Sequence, residues 1–241
     1  MTRAVIITGA AGGIGAALCE RMRKDGYIAL GIDRYDAPAA DVQIRFDLRE
    51  SGALIKLGQD LARDYEIKAV VHNAAVQPIA GTGDTCLDEW SDTLRVNVLA
   101  VDMLVTGTRQ KLASNDGSVV VIGSVHGHAT TGGVTAYATT KAALEGWVRS
   151  AALDLGPHVR VNAVAPGAID TAKLREGFAR WGEASAEERK AVLRQRTALG
   201  RIGEPSDDAG AVSFLNVDDS RFVTGSVLTV DGGATARLGS E

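Results

Sequence analysis

Tyr137 and Lys141 stand four positions apart in Tyr137-Ala138-Thr139-Thr140-Lys141. In a helix that spacing puts them one turn apart on one face. A free phenol titrates near ~10 and is a poor proton donor or acceptor at neutral pH. An ammonium held close favours the phenolate. At an effective dielectric of ~20, two unit charges ~5 Å apart interact by roughly 3 kcal/mol, on the order of two pKa units. The spacing therefore predicts a tyrosine tuned for acid–base work by its lysine neighbour. The same two residues also suit a solvated helical face, so the decision rests on what surrounds them.

A second chemical signal lies near the N-terminus, in Thr8-Gly9-Ala10-Ala11-Gly12-Gly13-Ile14-Gly15. It follows an apolar run, Ala4 to Ile7, and opens a helical pattern beginning at Ile14. Gly9, Gly12, Gly13 and Gly15 permit a tight turn, backbone approach to a pyrophosphate and close helix–strand packing. The N–H groups of a helix N-terminus add positive potential there. Asp33 closes the second apolar run, where a carboxylate can accept hydrogen bonds from an adenosine ribose and repel a 2′-phosphate. That favours NAD over NADP, although Arg34 beside it argues the other way.

The elements that must position these residues follow from hydrophobic spacing. Short apolar, β-branched runs at about 4–7, 27–32, 42–46, 68–71, 117–122, 159–164 and 227–230 read as buried strands. Helical patterns alternate with them, including one long helix from about Asp88 to Leu112 and another carrying Tyr137 and Lys141 on to Leu155. The expected fold is α/β: a Rossmann-type, doubly wound, parallel seven-stranded sheet with helices on both faces. One dinucleotide-binding domain over residues 1–241 is expected, with an insertion at about 168–205 serving as a substrate lid. The lid would be apolar through Leu174, Phe178, Trp181, Val192 and Leu193.

Composition bounds the partners. The 241 residues carry a net charge of −4, so nothing electrostatic points to nucleic acid or an anionic membrane. No apolar run reaches the ~18–20 residues needed to span a bilayer. The N-terminal apolar segment is too short for a signal sequence, which leads to the expectation of a cytoplasmic protein. Cys19 and Cys86 have no metal or redox spacing, and His126 and His128 lack a third ligand, so no metal site is expected.

Taken in order, these segments resemble the short-chain dehydrogenase/reductase family over nearly the whole chain. Thr8–Gly15 fits T-G-x-x-x-G-x-G, Asp47-Leu48 fits the pair that meets the adenine, and Asn73-Ala74-Ala75 stands where N-A-G is usual. Asn97 fits the asparagine of the long fourth helix, Ser124 precedes Tyr137 by the family's usual separation, and Tyr137 and Lys141 fit Y-x-x-x-K. Pro166-Gly167 with Ile169 and Thr171 fits the segment that holds the nicotinamide, and Asp231-Gly232-Gly233 fits the C-terminal ending. Two departures stand out: Ala75 in place of glycine, and His72 where another asparagine is common.

The resemblance implies roles. Tyr137 is the general acid–base, Lys141 lowers the phenol pKa and holds the nicotinamide ribose, Ser124 donates to the substrate oxygen, and Asn97 fixes a water linking Lys141 to solvent. The implied activity is NAD-linked interconversion of a small or medium secondary alcohol and a ketone, in a homotetramer or homodimer. Gln77, His126, His128, Thr130 and Thr131 border the expected pocket. Two alternatives stay open: an NADPH-dependent 3-oxoacyl reductase, and a non-catalytic regulator that senses NAD(H).

Overall fold

A computed structural model describes residues 3–179 and 183–237. Seven parallel strands form one sheet in the order β3-β2-β1-β4-β5-β6-β7. They are β1 (Arg3–Thr8), β2 (Ile28–Asp33), β3 (Val42–Arg45), β4 (Glu66–His72), β5 (Ser118–Ile122), β6 (Arg160–Pro166) and β7 (Val227–Val230). The five inner strands are buried along nearly their whole length, as a sheet covered on both faces requires. Strand order reverses between β1 and β4, with Thr8 aligned to His72. The carboxyl ends of two neighbouring strands diverge there, where open α/β sheets bind ligands.

Two helical layers cover the sheet. On one face, α2 (Ser51–Asp64), α4 (Ala100–Ser114) and α5 (Thr135–Leu155) share a core with Ile6, Val70 and Val119. On the other, α1 (Gly13–Lys24) and α8 (Pro205–Asn216) pack over Val5, Ile7, Val71 and Val120. Burying one such aliphatic side chain stabilises the fold by roughly 1.5–3 kcal/mol.

The long helix expected from Asp88 to Leu112 is interrupted. It runs as α3 (Leu87–Leu94), a π-helical turn (Arg95–Leu99) and α4. In that turn the Ala100 N–H bonds the carbonyl of Arg95, five residues back. Such turns are rare and frequently occur at functional sites. Here it carries Asn97. The expected helical stretch at Lys173 to Leu199 is two helices, α6 (Ala172–Ala179) and α7 (Glu183–Arg196). Trp181 lies outside the described residues. Among the described residues no helix is long and apolar enough to cross a membrane.

Candidate active site

The glycine loop leaves the carboxyl end of β1 and is shaped by close approach. Gly9 has φ 68°, and a Cβ there would lie 2.7 Å from the Ala74 Cα. A Cβ on Gly15 would overlap the Gly9 carbonyl, and one on Gly13 would lie 3.0 Å from Thr171 Cγ2. Gly12 is the N-cap of α1, and no side chain caps that helix end. The first-turn N–H groups of Gly13, Ile14 and Gly15 are therefore left for a ligand, at the positive end of a twelve-residue helix. Uncapped donors beside glycines with no room for a methyl fit a dinucleotide diphosphate.

Side chains from the neighbouring strands hold this loop. Asp33 Oδ2 accepts the Ala11 N–H at 3.0 Å and Oδ1 accepts the Tyr35 N–H at 3.0 Å. The residue expected to read the ribose thus also fixes the loop. Arg34 stacks its guanidinium over the Tyr35 ring, 4.9 Å from the centroid. The Asn73 amide donates to the carbonyls of Thr8 (3.2 Å) and Gly9 (3.0 Å). Thr8 Oγ1 accepts the N–H groups of Asn73 and Ala74, and Ala75 follows at the same strand end. Asp47 is gripped by Arg49, whose hydrogen bond holds its carboxyl below the usual range, and Leu48 beside it is buried.

At the carboxyl end of β6, Pro166 is buried and the Gly167 N–H bonds the Val230 carbonyl at 3.0 Å. Ile169 forms a bridge with Gly203, and Thr171 Oγ1 accepts the Leu174 N–H in the first turn of α6. That turn brings Thr171 against Gly13, so the two expected cofactor segments meet although far apart in sequence.

The candidate acid–base residues lie along the same edge of the sheet. Ser124 follows β5, and its Oγ accepts the His126 N–H at 3.2 Å. Tyr137 and Lys141 occupy consecutive turns of α5, with Lys141 Nζ 5.4 Å from the Tyr137 ring centroid. Lys141 is buried, and its Nζ donates to the Ile122 carbonyl at 2.6 Å. The Asn97 amide is fully committed: Oδ1 accepts the Val76 N–H (2.8 Å), and Nδ2 donates to the Val76 carbonyl (3.0 Å) and Thr140 Oγ1 (2.9 Å). Thr140 Oγ1 in turn donates to the Tyr137 carbonyl at 2.8 Å. The structure thus brings Asn97, Ser124, Tyr137 and Lys141 to one place.

The electrostatics differ from expectation. Burial pushes the Tyr137 phenol up rather than down; the opposing influence is a hydrogen bond from Ser124, not the lysine. Burial also pushes Lys141 down to about 7, helped by the like charge of Lys173. The physical reason is that both groups leave water together: desolvation penalises phenolate and ammonium alike, so a half-charged lysine gives little pull. Lys173 is the site contribution the sequence did not reveal. It sits in α6, inside the stretch read only as a cover.

His126 packs edge-on against Tyr137, centroids 5.8 Å apart, and its Nδ1 lies 2.8 Å from Thr130 Oγ1. His128 reaches Glu145 instead. Among the described residues no group of three or more His, Cys, Asp or Glu could hold a metal ion.

Residues 9–235 match the family model described as enoyl-(acyl carrier protein) reductase. Human dehydrogenase/reductase SDR family member 4 is 31% identical, with 98% of this chain and 88% of that protein aligned. The chain belongs to the short-chain dehydrogenase/reductase family. Membership makes it an oxidoreductase. L-rhamnose 1-dehydrogenase (NAD(P)(+)) of a Sphingomonas species, in the same family, is 31% identical over 98% of this chain and 97% of its own length. Ligand-free aldohexose dehydrogenase of Thermoplasma acidophilum superposes with a TM-score of 0.94 at 29% identity, covering 100% of this chain and 96% of that one.

Proposed function

We propose that this protein is a nicotinamide-dependent dehydrogenase that interconverts a secondary alcohol and a carbonyl, with NAD preferred over NADP. The observation that carries the reading is the convergence of Ser124, Tyr137 and Lys141 on the sheet edge that also bears the uncapped glycine loop. When bound, a nicotinamide dinucleotide supplies the hydride chemistry. Gly13, Ile14 and Gly15 would hold its diphosphate, Asp33 a ribose hydroxyl, and the segment around Ile169 and Thr171 its nicotinamide end.

The chain's own residues handle the proton. Tyr137 Oη takes the hydroxyl proton during oxidation and returns one during reduction. Ser124 donates to the same substrate oxygen as negative charge develops on it. Lys141 lies within one helical turn of Tyr137 and, with a pKa near 7, can pass a proton onward at neutral pH. The 168–205 segment forms a wall over this site, and Lys173 extends the positive charge from it.

His126 and Thr130 make the rim beside Tyr137 polar, which supports a polyhydroxylated substrate. The sugar-acting names of two relatives agree with that choice. We also place self-association on the exposed faces of the π-helical turn and α5, where Leu99 and Leu153 are open to solvent.

The test is fluorescence titration with NADH and NADPH, then a 340 nm absorbance screen of aldoses, aldonates and simple alcohols. Turnover with NAD on a polyol and loss of at least ~10²-fold in kcat for Tyr137→Phe, with NADH binding kept, is the expected result. Near-normal turnover of that variant removes Tyr137 from the mechanism.

A further inference from the structure

His72 is a buried titratable side chain that the reaction above does not use. It ends β4 at the point where strand order reverses and is 1% exposed. Its Nδ1 lies 2.9 Å from Thr8 Oγ1 and its Nε2 3.3 Å from the Asn97 carbonyl oxygen.

The hydrogen bonds around Thr8 fix the tautomer. Thr8 Oγ1 accepts two N–H groups, from Asn73 and Ala74, each at 3.1 Å. A hydroxyl has two lone pairs and one proton, so the acceptor capacity is filled and the proton is left to donate. It goes to His72 Nδ1, which must then be bare. A neutral imidazole bare at Nδ1 carries its hydrogen at Nε2, which donates to the Asn97 carbonyl. Burial and the nearby Lys141 charge push the ring's pKa down to about 4, so the neutral form persists at neutral pH.

The resulting chain of bonds is continuous. It runs from Thr8 at the head of the glycine loop, through His72, to the Asn97 backbone in the π-helical turn. From there the Asn97 amide reaches Thr140, and Thr140 reaches the Tyr137 carbonyl. An asparagine at position 72 ends at the depth of Nδ1. It can meet Thr8 but not the Asn97 carbonyl.

We propose that His72 is a positioning residue for proton transfer: it fixes the Asn97 peptide against the glycine loop, and through it sets Tyr137 and Lys141 relative to the bound dinucleotide. This rests on the catalytic reading of Tyr137 and Lys141.

Two near-isosteres separate the arms of the imidazole. His72→Gln places an amide nitrogen at the depth of Nε2 and keeps the Asn97 contact. His72→Asn keeps only the Thr8 contact. Both variants and the wild type are compared for kcat, KM, NADH Kd and Tm on a substrate from the screen, and the wild-type ring is examined by ¹⁵N NMR.

The expected ¹⁵N spectrum shows one histidine locked with its proton on Nε2, and this signal is lost in both variants. His72→Asn should lower kcat by roughly fivefold or more with NADH Kd unchanged within about twofold, while His72→Gln stays within about twofold of wild type. Wild-type kcat in His72→Asn, an equal loss in both variants that tracks Tm, or a proton on Nδ1 overturns the proposal. Normal turnover in Tyr137→Phe is a separate failure: it removes the catalytic reading itself and the positioning role with it.

Discussion

The half of the molecule that carries the glycine loop and the segment at 168–205 are held together by different forces. Around the loop, buried and part-buried side chains bond backbone groups far away in sequence, as Asn73 does to Gly9, 64 residues off, and Asn97 to Val76, 21 residues off. Such a bond is worth about 1 kcal/mol, and leaving its buried partner unsatisfied costs about 1–3 kcal/mol. Along the covering segment the ion pairs lie at or near the surface: Arg175 with Asp170, Arg194 with Glu187, and Arg201 with Asp207 at the start of α8. Exposed pairs contribute roughly 0–1 kcal/mol each. One region is pinned by hydrogen bonds between distant segments; the other is tied down by weaker surface contacts, which suits the substrate-facing role proposed for it.

The sharpest way to break this contrast is at Gly15. Gly15→Ala drives a methyl into the Gly9 carbonyl, and dinucleotide affinity should fall by on the order of 10²-fold in the fluorescence titration. Unchanged affinity would mean that the loop is as pliant as the cover.

Asp208 tests the rigid half from beneath. It is 0% exposed on α8, and neither carboxylate oxygen has a hydrogen-bond partner among the described residues. Burial, then the neighbouring Asp207, raises its carboxyl to about 7. A folded-state pKa above the unfolded value means that the folded protein binds the proton more tightly. The associated stability is complete below about pH 4 and is lost as pH rises through about 7. Asp208→Asn cannot ionise, so its Tm should exceed the wild type by on the order of 5 °C at pH 8 and by little at pH 4. A constant difference across that range would rule out the buried carboxyl as its source.

Ser124→Ala gives a finer measure. Ser124 draws the Tyr137 pKa down against burial. Its loss should move the acid-side, ascending limb of the oxidation profile to higher pH and lower the rate at neutral pH. A limb that stays in place would assign the titration to another group. The smallest effect belongs to the cover: Arg175→Ala should change Tm by no more than about 1–2 °C, while KM for substrate moves more than NADH Kd. A larger Tm change would show that the covering segment contributes to the fold more than its exposed pairs suggest.

Much of this was legible before any coordinates. The inner strands announce themselves as short apolar runs, because strands buried on both faces have little room for polar residues, while the edge strands β3 and β7 are only partly buried. Tyr137 and Lys141 are legible by type and spacing, and Asn97 and Ser124 by the family resemblance; the fold brings the four side by side. The π-helical turn was not legible, since Trp90, Leu94, Val98, Val101 and Val105 keep an ordinary helical rhythm through it. Nor was the sign of the Tyr137 shift, because a separation of two charges predicts attraction and says nothing of the water both have lost. Asp208 reads as one of two surface acids, and only the packing of α8 on the sheet buries it. Lys173 escaped because its partner in charge, Lys141, is distant in sequence.

The all-parallel sheet has a practical corollary for anyone wishing to tether the protein to a surface or join it to another polypeptide. Arg3 opens β1 at the amino-end edge of the sheet, remote from Tyr137, so an attachment there points away from the proposed active site. Val230 closes β7 on the other edge, and the turn after it is laced to Asp231 by Gly233 and Thr235. That turn lies at the same carboxyl-end edge of the parallel sheet as the glycine loop. Coupling through Arg3 should preserve access to the proposed site, and coupling through an exposed residue of the turn after β7, such as Ala236, should obstruct it.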